Sequence, residues 1–138
     1  MVRWFWLICL SAGALEDIKC RAVSGKLLAV CGLAGMAAAW SGGLGTHVPG
    51  LSAGMAVLAV SGLTRGAVGA GDGLFLLASA WYLTAAEVWL FLAGGLVVSW
   101  VWSAAVILKK IFAGNNFRKI TLPFLVCLWP VGVWIVAR

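Results

Sequence analysis

The chain has 138 residues, of which 64% are hydrophobic and 10% are charged, and its mean hydropathy is +1.08. A water-soluble domain is about half apolar and a quarter charged, so this composition excludes an ordinary soluble domain. It predicts an all-α polytopic membrane protein in a lipid bilayer. The net charge of +6 does not indicate a nucleic-acid partner, because the basic residues stand in short gaps between apolar runs and form no basic face with interleaved aromatics.

Six apolar runs follow one another along the chain, separated by glycine-rich or charged breaks. We expect each run to form one transmembrane helix, so that residues 1–138 form a single transmembrane domain without a soluble domain. The runs cover Trp4–Leu15, Leu27–Leu44, Val48–Leu63, Leu74–Ala86, Val88–Leu108 and Ile120–Ala137.

The first and fourth runs are shorter than the roughly 20 residues that a span needs. We therefore expect the first helix to include Glu16 and Asp17 and to continue towards Cys20. The fourth helix is expected to begin near Gly71 or Asp72. The break between the fourth and fifth runs is expected near Glu87, which is interpreted as a loop acid.

The N-terminal segment has a second interpretation. Arg3, the apolar stretch after it and Ala12-Gly13-Ala14 resemble a signal peptide with an A-x-A cleavage site. We favour retention of this segment as the first span, because retention gives an even number of spans and places Asp17 where a partner carboxyl could meet it.

The basic residues predict the orientation of the six spans. If the N-terminus lies outside, the first, third and fifth loops face the cytoplasm, and only Arg3 and Arg138 remain outside. This is the asymmetry of the positive-inside rule. The cytoplasmic loops then carry Lys19, Arg21, Lys26, Arg65, Lys109, Lys110, Arg118 and Lys119.

Two of the four acidic residues are predicted to meet. Ionisable groups within or at the edge of a span are expensive and usually functional. Asp17 and Asp72 are both expected at the cytoplasmic edge, at the same depth. Two carboxyls that share one proton can hydrolyse a peptide, because the ionised one deprotonates water while the protonated one polarises the scissile carbonyl.

Other hydrolytic schemes lack their residues. The single histidine, His47, is expected on the outer side, away from any cytoplasmic Ser or Cys nucleophile. One histidine also provides no cluster for zinc. We therefore expect neither a metal nor a cofactor.

Helix dipoles predict different roles for the two carboxyls. Asp72 begins its helix, where the dipole favours negative charge, whereas Asp17 lies near the end of its helix, where the dipole disfavours it and Lys19 and Arg21 partly compensate. This predicts Asp72 as the base and Asp17 as the group that keeps the proton. Glu16 points about 100° away from Asp17 on a helix and is interpreted as a supporting residue.

The glycines around Asp72 support the same hypothesis without proving it. Gly69-Ala70-Gly71-Asp72-Gly73 would let an extended substrate strand approach the backbone closely. In a chain with 18 glycines, however, this pattern taken alone favours tight helix packing or a turn over a substrate-binding role.

Three segments together resemble the motifs of the type IV prepilin peptidases. Residues 14–23, Ala-Leu-Glu-Asp-Ile-Lys-Cys-Arg-Ala-Val, look like the first-aspartate motif, an Asp followed by an apolar residue, basic residues and Ile or Val. Gly69-Ala70-Gly71-Asp72 matches the GxGD motif, which preflagellin peptidases and presenilin-like proteases share more distantly. Leu122-Pro123-Phe124 resembles the Pro-Phe signature that opens the last helix, and the three matches occur in the family order.

The resemblance implies a membrane aspartyl endopeptidase in the bacterial cytoplasmic membrane. It would remove the short basic leader from a pilin-like precursor, just before the hydrophobic segment, at the cytoplasmic face. It implies Asp17 and Asp72 as the catalytic pair. The supporting residues implied are Gly69, Gly71, Glu16, Lys19, Arg21, Pro123 and Phe124.

The sequence departs from the family pattern at several positions. Val23-Ser24-Gly25 stands where Ile-Pro-Asn is common, Gly73 where Lys often follows GxGD, and Val126 where the signature has a second Pro. These 138 residues do not contain the cysteine-paired cytoplasmic domain of the larger bifunctional members. We therefore expect no N-methyltransferase activity, as in the short peptidase-only members.

Two other functions remain open at this level. The first is a small six-span transporter or channel in which Asp17 and Asp72 relay protons or cations. The second is a catalytically silent scaffold of a pilus or secretion apparatus. A continuous polar path across the molecule would favour transport, and a cleft that reaches only the cytoplasm would favour the peptidase.

Overall fold

A computed structural model describes residues 2–20, 23–40, 45, 47–64, 69–112 and 124–138, except for the side chain of Lys110. The regular structure in these ranges is helical and contains no strand, which confirms the all-α prediction. The six helices are α1 (Val2–Cys20), α2 (Gly25–Trp40), α3 (Val48–Leu63), α4 (Ala70–Ser79), α5 (Ala85–Phe112) and α6 (Phe124–Ala137).

Both predictions from run length are confirmed. Helix α1 continues through Glu16 and Asp17 to Cys20. Helix α4 begins at Ala70, with Gly69 as its N-cap and Asp72 in its first turn. The acidic residues therefore extend α1 and begin α4.

The expected break near Glu87 is wrong. Helix α4 ends at Ser79, α5 begins at Ala85, and Glu87 lies in the first turn of α5. The physical reason is a capping box: the Thr84 N–H donates to Glu87 Oε2 at 2.8 Å, and the Glu87 N–H donates to Thr84 Oγ1 at 3.4 Å. The apolar residues between Ser79 and Glu87 concealed this turn in the sequence.

The two ends of the helix bundle are defined by their contacts. At one end, here called the Arg3 end, Arg3 pairs with Glu87 at 3.0 Å and His47 Nδ1 lies 3.0 Å from the Ala80 carbonyl oxygen. At the opposite end, called the Asp17 end, the end of α1 meets the start of α6. Consecutive helices therefore run in opposite directions along the bundle.

The core lies between the two ends. Helix α4 packs on α3 and α2, while α6 packs on α5 and α1. Trp6 crosses from α1 to α4, where its Nε1–H donates to Ser79 Oγ at 2.9 Å. Glycines allow the helices to approach closely, because a Cβ added at Gly54 would lie 2.7 Å from the backbone N of Leu77.

Only one helix in the described ranges is long and apolar enough to cross a membrane by itself, within α5 at Ala85–Lys109. Helices α2, α3, α4 and α6 are apolar but shorter, and α1 carries Arg3, Glu16, Asp17 and Lys19. Helix α4 has ten residues and is about 15 Å long, which is half the thickness of a bilayer core.

Candidate functional site

Asp17 lies on the buried face of α1. That face repeats at helical spacing through Trp6, Leu10, Gly13 and Ala14, so Asp17 points into the bundle and is 9% exposed. Its Oδ2 accepts a hydrogen bond of 3.2 Å from the Leu125 backbone N–H. A carboxyl in this position is shielded from water on most sides and held by the start of α6.

Asp72 lies in the first turn of α4, where its N–H donates to the Gly69 carbonyl oxygen at 3.1 Å. Its carboxyl folds back over Gly69, because a Cβ added at Gly69 would lie 2.9 Å from Asp72 Oδ2. A Cβ added at Gly71 would lie 3.7 Å from Val23, which is ordinary contact. The first glycine of GxGD therefore makes room for the carboxyl, whereas the second is not sterically required by the described neighbours.

Gly73 has a packing role that explains one departure from the family pattern. It is buried in α4, and a Cβ at this position would lie 2.8 Å from Leu58 Cγ of α3. The close approach of α3 leaves no room for the lysine that often follows GxGD. This position therefore reflects local helix packing.

Asp17 and Asp72 come from different helices, α1 and α4, and lie within electrostatic reach of each other. Within the described ranges there is no direct hydrogen bond between them. Such a pair, partly shielded from water, favours sharing a single proton, because two neighbouring negative charges repel each other.

The supporting residues fall into three groups. Glu16 accepts a hydrogen bond of 2.8 Å from the Ser24 N–H, so it ties the end of α1 to the start of α2. Lys19 is exposed in the last turn of α1, and Phe124 opens α6 and is half-buried. Arg21 and Pro123 lie outside the described residues.

The sequence did not reveal the donor to Asp17. Leu125 contributes a backbone N–H, and no side-chain pattern marks such a donor. Cys127, two residues further along α6, lies within electrostatic reach of Asp17 and within hydrogen-bonding reach of Ser99 of α5. The one available signal was the predicted start of the last helix on the same side as Asp17.

The remaining acid and the histidine lie at the Arg3 end. Glu87 is bound by Arg3 and Thr84, and His47 contacts the turn after α4. Neither residue can join the aspartate pair. In the part of the chain that the structure describes, no group of three or more His, Cys, Asp or Glu side chains could hold a metal ion.

Comparisons with protein-family models, with curated proteins and with solved structures find no match for this chain.

Proposed function

We propose that this chain is a membrane-embedded aspartyl endopeptidase of the prepilin-peptidase type. It would remove a short basic leader from pilin-like precursors at the cytoplasmic face of a bacterial membrane. The observation that carries the proposal is that Asp17 and Asp72 lie within electrostatic reach of each other at one end of the bundle, within motifs that resemble this family.

The exposed surface supports a membrane location. Large apolar side chains cover the outside of the helices, among them Phe112 at 87% exposure, Leu63 at 84% and Trp100 at 75%. A soluble monomer rarely exposes a large contiguous apolar surface, and lipid would cover it here. In this proposal all six helices are embedded, with α5 providing the longest span.

The described charges support the orientation. Lys19, Lys26 and Lys109 lie towards the Asp17 end, whereas Arg3 and Arg138 lie at the other end. The positive-inside rule then places the aspartates on the cytoplasmic side. Glu16, Asp17 and Asp72 supply the local negative charge that a basic leader would need.

The chemistry needs only the two carboxyls and a water molecule. The ionised carboxylate takes a proton from water as the water oxygen bonds to the scissile carbonyl carbon, and the protonated carboxyl gives its proton to the carbonyl oxygen. When the tetrahedral intermediate collapses, the second carboxyl recovers its proton. The first carboxyl passes its proton to the leaving amine, which restores the starting pair.

The packing of the interior favours a peptidase over a transporter. Between the Asp17 end and the Arg3 end, the described core is filled by large side chains that are fully buried. These side chains are apolar except for the indole N–H of Trp6: Trp6, Leu10, Phe75, Leu76, Phe91 and Leu128.

Cleavage of co-expressed precursors tests the proposal. We expect the wild-type chain to shorten a pilin-like precursor on a gel, and Asp72→Asn to leave it uncut at equal membrane levels. Glu87→Gln is the matched control, because this acid lies at the opposite end, and it should cut normally. Identical precursor bands with wild type and Asp72→Asn would refute the peptidase, and proton-coupled uptake by the wild type would favour transport.

A further inference from the structure

The hydrogen bond from α6 to Asp17 distinguishes the two carboxyls. Leu125 is the second residue of α6 and is fully buried. The first four N–H groups of a helix have no partner within that helix, so the Leu125 N–H is available. It is directed at Asp17 Oδ2, at 3.2 Å, from the positive end of the α6 dipole.

The dipoles alone do not separate Asp17 from Asp72. Asp72 lies at the N-terminal end of its own helix, α4, and Asp17 lies against the N-terminal end of α6. Each carboxyl is therefore near the positive end of one helix. The sequence predicts Asp72 as the charged member of the pair, because it reveals only the dipoles of the helices that carry the two residues, α1 and α4. The directed N–H from α6 favours the opposite assignment, since a hydrogen bond to an ionised carboxylate stabilises the charged form.

The other charged and titratable groups around Asp17 do not reverse this preference. Asp72 lies within electrostatic reach of it from α4, and two neighbouring negative charges repel each other, which favours a single charge on the pair. On α1 itself, Glu16 is held by the Ser24 N–H at the start of α2, and Lys19 is exposed. The remaining groups on the neighbouring helices are Cys127 on α6 and Lys26 and Cys31 on α2.

We propose that the first turn of α6, through the Leu125 N–H, holds the negative charge on Asp17. Asp17 is then the base that takes the proton from water, and Asp72 keeps the proton that it gives to the scissile carbonyl oxygen. Leu125 acts through Asp17 and is a positioning residue. The assignment of the two roles rests on the proposed peptidase function, whereas the location of the charge does not.

The experiment removes one N–H from the first turn of α6. Replacing Leu125 by its α-hydroxy analogue exchanges the N–H for an ester oxygen and keeps the side chain, and Leu125→Pro removes the same donor where a helix tolerates proline. Leu125→Ala is the matched control, because it keeps the N–H and loses the packing. The readout is the pH dependence of precursor cleavage in liposomes.

The two roles give different pH profiles. If Asp17 carries the charge, the ester variant should move the acid limb of the cleavage profile to higher pH by about one unit and leave the alkaline limb in place. Leu125→Ala should change the rate without moving either limb. Movement of the alkaline limb alone would make Asp72 the base, and an unmoved profile would show that the amide has no such role; either result overturns the proposal.

A second measurement does not depend on cleavage. In the chain labelled with ¹³C at the Asp carboxyls, NMR should show Asp17 ionising at lower pH than Asp72. The ester variant should bring the pH values at which the two carboxyls ionise closer together. Asn substitutions assign the two signals. Asp72 ionising first would overturn the inference even if the chain cleaves precursors. A wild-type chain that cleaves no precursor but shows the expected order would refute only the peptidase function.

Discussion

At each end of the bundle, a carboxylate accepts a hydrogen bond from a backbone N–H at the start of a helix. The two carboxylates differ in their other partners. At the Arg3 end, Glu87 accepts hydrogen bonds from the Thr84 N–H, the Thr84 hydroxyl and Arg3. At the Asp17 end, Asp17 lies against the start of α6 but accepts one described hydrogen bond, from Leu125, and has a second carboxyl within electrostatic reach. An acid with all its partners stabilises a helix end, whereas an acid with few partners and a like-charged neighbour retains capacity to exchange a proton.

The largest expected effect is at the aspartate pair. Asp17→Asn and Asp72→Asn should each lower kcat for precursor cleavage by a factor of about 10²–10⁴. Asp17→Asn should be the more severe, because an amide at position 72 can still donate to the scissile carbonyl whereas an amide at position 17 cannot act as a base. Quantitative gel kinetics measure this difference. A milder loss for Asp17→Asn would favour the assignment made from α1 and α4 alone.

The next effect should come from the glycine beneath Asp72. Gly69 has φ −63° and ψ 123°, which alanine adopts freely, so Gly69→Ala acts only through its new Cβ, 2.9 Å from Asp72 Oδ2. The carboxyl should be displaced with the fold intact, at a cost of about 100-fold in kcat/KM. Gly71→Ala is the matched control and should remain close to wild type. Equal activities for the two alanine variants would contradict the steric argument.

The smallest effects are expected for substitutions at the Arg3 end, which should change the free energy of unfolding and not cleavage. Glu87→Ala removes the cap of α5 and should lower the free energy of unfolding by about 1 kcal/mol. Arg3→Gln removes only an ion pair whose side chains are 44% and 25% exposed, and should cost less than about 0.5 kcal/mol after solvent screening. Thermal unfolding in detergent measures both. A large loss of cleavage by either variant at full membrane levels would show that the ends are not independent.

Two features of the site were predictable from the sequence, and each has a physical reason. The short first run had to be extended to form a longer helix, which placed Asp17 within α1 near its end, whereas its position on the buried face is shown only by the structure. The short fourth run placed Asp72 in the first turn of α4. Both predictions rest on the number of residues that a span needs and on the positions of the acidic residues. Both can be read directly from the sequence.

The parts that could not be predicted depend on backbone groups and on tertiary approach. The Leu125 N–H carries no side-chain signature, so its contact with Asp17 required the positions of α1 and α6. Thr84 and Glu87 did carry a capping-box spacing, but the apolar residues before them favoured a continuous helix. Glycine is required at position 69 because the Asp72 carboxyl folds back over it. The spacing of residues in the sequence does not predict this side-chain conformation.

The shortness of α4 has a consequence for biosynthesis. Ten residues are too few for a helix to enter lipid as an independent span. In the proposed membrane location, the turn that follows α4 at the Arg3 end lies only about 15 Å along that helix from the Asp17 end, so it would lie below the opposite membrane surface. That turn is covered by protein: Tyr82 donates to the Cys31 carbonyl oxygen at 2.6 Å, His47 contacts Ala80, and Leu83 is 1% exposed. Irregular backbone at membrane depth is tolerated only under such cover. Helix α4 would therefore leave the insertion machinery together with α3, and reach its final depth only once α2 is already in place to receive it.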